Sequence, residues 1–106
     1  MNRIVAAIIL LAALAACRPQ IGDPCNTSIE CPEGAACDTT ATGGYCLSYD
    51  CLDSGCPEGA VCVPFRTFSA CMQYCASDDD CRVSDGQVCR NDVPPTPFCY
   101  HMTQEP

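Results

Sequence analysis

The sequence predicts a small disulfide-rich fold: three tandem four-cysteine units with short β-hairpins and mostly irregular loops, preceded by a helical signal peptide. Three observations predict it, namely thirteen cysteines among 106 residues, a motif that recurs three times, and an apolar N-terminal run that ends at the first cysteine. Cysteine at this density is typical of secreted scaffolds with small hydrophobic cores. Large apolar side chains are scarce after residue 20, so we expect disulfides to supply the stability that burial does not, at about 3 kcal/mol per loop.

The N-terminus has the pattern of an export signal. Arg3 gives a basic start, and the run from Ile4 to Ala16 is entirely apolar. As a helix this run would reach about 20 Å, short of the ~30 Å hydrocarbon core of a bilayer. The length therefore favours a cleaved signal over a permanent membrane span.

The end of this run, Leu14-Ala15-Ala16-Cys17, resembles the lipobox of bacterial lipoproteins. The resemblance implies that Cys17 becomes the N-terminal residue after cleavage and carries a thioether-linked diacylglycerol, usually with a further acyl chain on its amine. Two or three chains anchor a protein firmly, unlike a single chain. Position 18 is Arg and not the Asp that retains some lipoproteins at the inner membrane, so the same resemblance favours the outer membrane. The alternative is an ordinary signal peptide followed by a coincidental cysteine.

The remaining twelve cysteines divide into three groups of four with similar spacing. The groups are Cys25, Cys31, Cys37 and Cys46; Cys51, Cys56, Cys62 and Cys71; and Cys75, Cys81, Cys89 and Cys99. A glycine precedes the third cysteine by three residues in each group, at Gly34, Gly59 and Gly86. Pro-Glu-Gly and Ser-Asp-Gly predict a turn whose glycine takes positive φ, followed by a short extended segment and a hairpin. The pattern is an internal repeat of about 25 residues.

These features predict the organisation of the whole chain. It comprises a lipoprotein signal peptide at 1–16, the acylated cysteine and a tether at 17–24, cysteine-rich unit 1 at 25–50, unit 2 at 51–74, and unit 3 with a C-terminal tail at 75–106. Four cysteines allow three pairings within a unit, and the sequence alone leaves all three open.

The cysteine spacing between residues 25 and 99 resembles the opening half of EGF-like modules and the cysteine-rich repeats of Dickkopf-type and EB-type domains. The resemblance covers cysteines, Gly and Pro only, and no unit has the last two cysteines of an EGF module. It implies crossed pairing, in which the first cysteine bonds to the third and the second to the fourth. We favour this pairing also because crossed loops interlock the leading segment of each unit with its hairpin.

The units differ most between their third and fourth cysteines, and constant scaffolds with divergent loops are typical of recognition proteins. The loop of unit 2 contains Phe65, Arg66 and Phe68, an aromatic–arginine composition found in binding hot spots. These residues form our candidate binding loop for a protein or glycan partner. Two alternatives stay open: the two rings cover disulfides in a unit that lacks a core, or Arg66 is offered to a trypsin-like protease by an inhibitor.

Other functional classes receive little support. The net charge of −8, with five Arg and no Lys, argues against nucleic acid as a partner. The acidic cluster from Asp78 to Asp80, with Asp85 and Asp92, does not have the spacing of an EF-hand loop. Soft-metal sequestration by the cysteines ranks third, behind the inhibitor, because export favours disulfides. His101 has no nucleophile to activate, so we expect no enzyme, no cofactor and no metal.

Together these observations predict a lipid-anchored bacterial envelope protein with a non-catalytic binding or structural role.

Overall fold

The computed structural model describes residues 18–91 and 97–101. The predicted signal peptide, Cys17, Asp92 and the end of the predicted tail lie outside the described residues. The strands are β1 (Ala36–Asp38), β2 (Tyr45–Tyr49), β3 (Ala60–Pro64), β4 (Ser69–Gln73), β5 (Gln87–Arg90) and β6 (Phe98–His101), and a single-turn helix, α1, spans Cys51–Ser54. Short 3-10 turns cover Ser28–Glu30, Asp78–Asp80 and Val83–Asp85. No helix in the described part of the chain is long and apolar enough to cross a membrane.

The strands form three antiparallel hairpins, one in each group of four cysteines. Hairpins β1–β2 and β3–β4 join along β2 and β4 into one four-stranded sheet of order β1-β2-β4-β3. Strands β5 and β6 form a separate two-stranded sheet, linked to the first by an isolated bridge between Tyr74 and Phe98. The structure is therefore small and disulfide-rich, with short antiparallel strands and irregular loops.

Six disulfides cross-link the described residues: Cys25–Cys37, Cys31–Cys46, Cys51–Cys62, Cys56–Cys71, Cys75–Cys89 and Cys81–Cys99. This is the crossed pairing favoured above. The strand register explains it, because the third and fourth cysteines of each group stand directly opposite each other in a hairpin, as Cys62 does with Cys71. Each of these cysteines bonds backwards to the segment that leads into the hairpin, so that segment is fastened to both strands.

The leading segments of the first and third groups share further details. Glu30 accepts backbone N–H bonds from Asn26 and Thr27, and Asp80 accepts them from Ala76 and Ser77. The side chain that opens each 3-10 turn then accepts the backbone N–H of the third cysteine: Ser28 Oγ from Cys37 at 3.1 Å, and Asp78 Oδ1 from Cys89 at 2.8 Å. The repeat glycines Gly34, Gly59 and Gly86 all have φ between 82° and 85°, which confirms the predicted turns.

The three hairpins meet in a compact aromatic cluster, which corrects the expectation that burial contributes little. Its members are Ala41, Tyr45, Leu47, Val63, Phe65, Ala70, Met72, Phe98 and Tyr100. They come from all three groups of cysteines, so no hairpin buries this surface by itself. The sequence analysis counted few large apolar residues, but each aromatic ring buries a large area, so a small number of them forms a core.

Part of the segment predicted as a tether, residues 21–23, is attached to the sheet. The Gly22 N–H bonds to the Cys46 carbonyl at 2.7 Å, and the Cys46 N–H bonds to the Asp23 carbonyl at 3.0 Å. Ile21 is buried beside Cys51 and Cys71. Between Cys17 and this attachment, the described residues 18–20 are exposed.

Candidate functional site: an aromatic tip and an acidic cleft

The candidate binding loop closes the β3–β4 hairpin. Residues 65–68 connect the last paired positions of the two strands, Pro64 and Ser69. Arg66 is exposed at the bend. Phe65 instead points inwards and is only 9% exposed, with its ring centroid 5.9 Å from that of Phe98 and 5.7 Å from that of Tyr100. The loop is therefore half core and half surface.

The exposed half contains two aromatic rings. Phe68 stacks on Phe65 with centroids 4.8 Å apart, and Tyr49 meets the Phe68 ring edge-on at 5.8 Å. Phe68 is 42% exposed and Tyr49 is 51% exposed. We call Tyr49, Phe65, Arg66 and Phe68 the aromatic tip. Because Phe65 is fixed in the core and stacks on Phe68, the outer rings are held in place before any partner arrives.

Sequence reasoning identified Phe65, Arg66 and Phe68 but missed Tyr49. The residue reaches the tip because β2 pairs with β4, which places Tyr49 opposite Ala70. That pairing joins hairpins from different groups of cysteines. The local sequence offers no signal for it, beyond the presence of a tyrosine three residues after the fourth cysteine.

The tip has the chemistry of a contact surface. Two aromatic faces beside a guanidinium supply apolar area, stacking and a hydrogen-bond donor.

His101 lies in the interior, where its Nε2 accepts the Thr42 backbone N–H at 3.2 Å. The imidazole therefore has a structural role, as the hydrogen-bond acceptor for the Thr42 backbone.

A cleft lies at the other end of the β3–β4 hairpin. This acidic cleft has a volume of about 390 Å³ and is lined by Gln20, Ile21, Asp23, Glu58, Gly59, Gln73, Tyr74 and Asp80. Two of its three carboxylates are committed to local backbone, since Asp23 accepts the Gln20 N–H at 2.8 Å and Asp80 accepts the Ala76 N–H at 2.7 Å. Those two therefore act as turn caps.

The twelve cysteines of the described residues, and several of the aspartates there, have structural roles. Three cysteine sulfurs of each group lie within 4.8 Å of one another, as in the set of Cys51, Cys56 and Cys62. All of them belong to disulfides, which hold no thiolate for a metal ion. Asp85 pairs with Arg82.

Burial raises the pKa of two tyrosines of the core, Tyr45 and Tyr100. Desolvation raises the pKa of the Tyr45 hydroxyl well above its usual value, against an opposing effect of the hydrogen bond with Gln73. Desolvation, with a smaller effect of the Asp38 charge, also raises the pKa of Tyr100. Both phenols are therefore neutral at physiological pH, so the core beneath the tip carries no tyrosinate.

Comparisons of the chain with protein-family models, with curated proteins and with solved structures find no match. The geometry of the aromatic tip and the sequence of the N-terminus are therefore the features that bear on function.

Proposed function

We propose that this chain is a lipid-anchored protein of the bacterial cell envelope, attached through Cys17, favouring the outer membrane, that binds a protein or glycan partner without catalysis. In this proposal the three groups of four cysteines are tandem copies of one module. The shared hairpin register and the matching backbone caps at Glu30 and Asp80 support the repeat.

The observation that carries the binding role is the exposure of Tyr49 and Phe68 above a buried Phe65. Single exposed apolar residues such as Ile29 and Leu52 are ordinary on a protein surface, whereas two half-exposed rings in contact form a patch of the kind that marks interaction sites. Rigid aromatic side chains lose little conformational entropy when a partner covers them, and Arg66 beside them adds a polar contact. Both flat peptide surfaces and sugar rings suit such a patch.

The lipid anchor is tested by mass spectrometry of the N-terminal peptide from protein purified out of bacterial membranes. We expect residues 1–16 to be absent and Cys17 to carry acyl chains. Cys17→Ser should release the chain from the membrane fraction. An unmodified Cys17 on the mature protein would refute the anchor.

The binding role is tested by photo-crosslinking in whole cells. A photoreactive amino acid at position 68 should capture a specific envelope component. The same amino acid at position 29 is the matched control, because Ile29 is 93% exposed but lies far along the chain from the tip residues. Capture at position 68 should weaken on Tyr49→Ala, since that ring forms half of the exposed surface. Equal capture at both positions would contradict a role for the tip.

A second function, protease inhibition, is favoured by one observation, the exposure of Arg66 at the bend of a disulfide-braced hairpin. An inhibitor of this kind must inhibit a trypsin-like protease and must lose inhibition on Arg66→Ala while its fold survives. A binding protein that uses the aromatic rings would keep most of its affinity for its own partner in the same variant.

A further inference from the structure

The N-terminal attachment fixes which end of the molecule lies nearest to the lipid anchor. Gly22 packs against Gln73, since a Cβ added at Gly22 would lie 2.7 Å from the Gln73 Cβ. Gln73 ends β4, and Gly59, whose carbonyl accepts the Tyr74 N–H at 2.9 Å, precedes β3. The chain therefore enters the fold at the open end of the β3–β4 hairpin. We call this region, with Gln20, Gly22, Gly59 and Gln73, the docked end.

The aromatic tip occupies the opposite end of the same hairpin. Five residue steps along β4 separate Phe68 from Gln73, which corresponds to about 17 Å at 3.4 Å per step. Strand β2 runs between the same two ends, because Cys46 near its start bonds to Gly22 at the docked end and its last residue, Tyr49, belongs to the tip.

The free length of chain between the anchor and the docked end is short. The first described residue with a hydrogen bond is Gln20, whose N–H bonds to Asp23 Oδ2 at 2.8 Å and whose carbonyl accepts the Asp23 N–H at 3.1 Å. Three residue steps separate Cys17 from Gln20, a span of at most about 11 Å. Pro19 further restricts this stretch. A lipidated Cys17 sits at the membrane surface, so the docked end is held within that distance of the headgroups.

We propose that the docked end, including the mouth of the acidic cleft, faces the phospholipid headgroups, and that the aromatic tip is presented away from the bilayer. This inference depends on the proposed lipidation of Cys17. Arg18 is exposed next to the anchor and places a cation at the level of the lipid phosphates. The short link between Cys17 and Gln20 then keeps the tip at a fixed height above the membrane, where an envelope partner can reach it. We call this the ruler role of the link.

The absence of tryptophan from the chain allows a direct test. Glu58→Trp and Thr67→Trp each introduce one indole at an exposed position, the first at the docked end and the second in the loop of the tip. The lipidated protein is reconstituted into uncharged phosphatidylcholine vesicles that contain dansyl-labelled lipid, because an anionic lipid would repel the carboxylates of the acidic cleft. Energy transfer from indole to dansyl should be strong for Glu58→Trp and weak for Thr67→Trp, because the two heights differ by about 20 Å along the hairpin.

A flexible Gly-Ser insertion of about ten residues between Arg18 and Pro19 should remove the difference between the two variants. Equal transfer with the native link, or stronger transfer from Thr67→Trp, would overturn the inference. A difference that persists with the long link would refute the ruler role. Mass spectrometry of the same sample separates the two proposals: an unlipidated Cys17 refutes the proposed function and this inference together, whereas a lipidated Cys17 with equal transfer refutes the orientation alone.

Discussion

Replacement of Tyr45 by Phe should destabilise the protein far more than the loss of one hydroxyl suggests. The ring is fully buried, and its hydroxyl donates to the Cys99 carbonyl at 2.8 Å while accepting the Gln73 N–H at 2.9 Å. One oxygen thus joins strands from all three groups of cysteines. Tyr45→Phe leaves both backbone groups without this partner inside the protein. At about 1–3 kcal/mol for each of the two unsatisfied groups, we expect the free energy of unfolding to fall by about 2–6 kcal/mol.

The assay is guanidinium unfolding with all disulfides intact, followed by near-ultraviolet circular dichroism of the tyrosines. Tyr49→Phe is the matched control, because that ring is half-exposed and its hydroxyl has no hydrogen-bond partner in the described part of the chain. The control should change the free energy of unfolding by less than about 0.5 kcal/mol. If Tyr45→Phe cost no more than Tyr49→Phe, the hydroxyl would not be the link between the hairpins that the distances indicate.

The same hydroxyl predicts a loss of stability at alkaline pH. Burial raises the pKa of Tyr45 in the folded state above its unfolded value of about 10. A raised folded pKa means that stability is complete below about pH 10 and falls as pH rises above it, where the unfolded phenol ionises and the folded one does not. Unfolding measured from pH 8 to pH 11 should show this decline in the native protein, and Tyr45→Phe should show a shallower one. Parallel curves would refute the assignment to Tyr45.

Two further predictions concern the turns and the cross-links. Gly44→Ala should lower the free energy of unfolding by more than about 3 kcal/mol, because the added Cβ would lie 1.9 Å from the Cys25 carbonyl oxygen. Gly59→Ala is the control, since Gly59 has a similar φ but open space around it, and should lower the free energy by about 1–2 kcal/mol. Similar unfolding midpoints for the two variants would refute the steric argument. Replacement of both Cys31 and Cys46 by Ala removes a disulfide with a sequence separation of 15 and should lower the free energy of unfolding by about 3 kcal/mol in the same assay. A decrease of less than about 1 kcal/mol would show that local hydrogen bonds alone hold the leading segment.

Local features of the fold could be predicted from the sequence because local chemistry determines them. The glycine before each third cysteine follows a turn-forming pair, and a residue without a Cβ is the one that takes positive φ there at little cost. The hairpins follow these turns. The crossed disulfides do not follow from this local chemistry, because third and fourth cysteines that face each other on adjacent strands could also bond to each other. The crossed pairing is favoured by the resemblance to EGF-like modules and by the interlocking of the leading segment with its hairpin.

Contacts between the hairpins could not be predicted in this way. Nothing near Tyr45 in the sequence distinguishes it from the exposed Tyr49, yet one is the centre of the core and the other part of the aromatic tip. The loop Phe65–Phe68 was identified as a unit, but its two rings have separate roles because Phe65 turns towards residues some thirty positions later in the chain. The attachment of Ile21 was missed because Pro and Gly beside it indicate a tether. Each of these depends on long-range placement.

The disulfides and the aromatic cluster therefore stabilise different levels of the structure: the disulfides act within each hairpin unit, and the cluster joins the hairpins to one another. Every disulfide among the described residues closes within one group of four cysteines, so the cross-links restrict the unfolded chain locally and do not hold one hairpin against another. The hairpins are joined by the pairing of β2 with β4, by the bridge at Tyr74 and Phe98, and by the Tyr45 hydroxyl. The aromatic tip combines Tyr49 from one hairpin with Phe68 from the next, so this pair of exposed rings exists only while those non-covalent contacts hold.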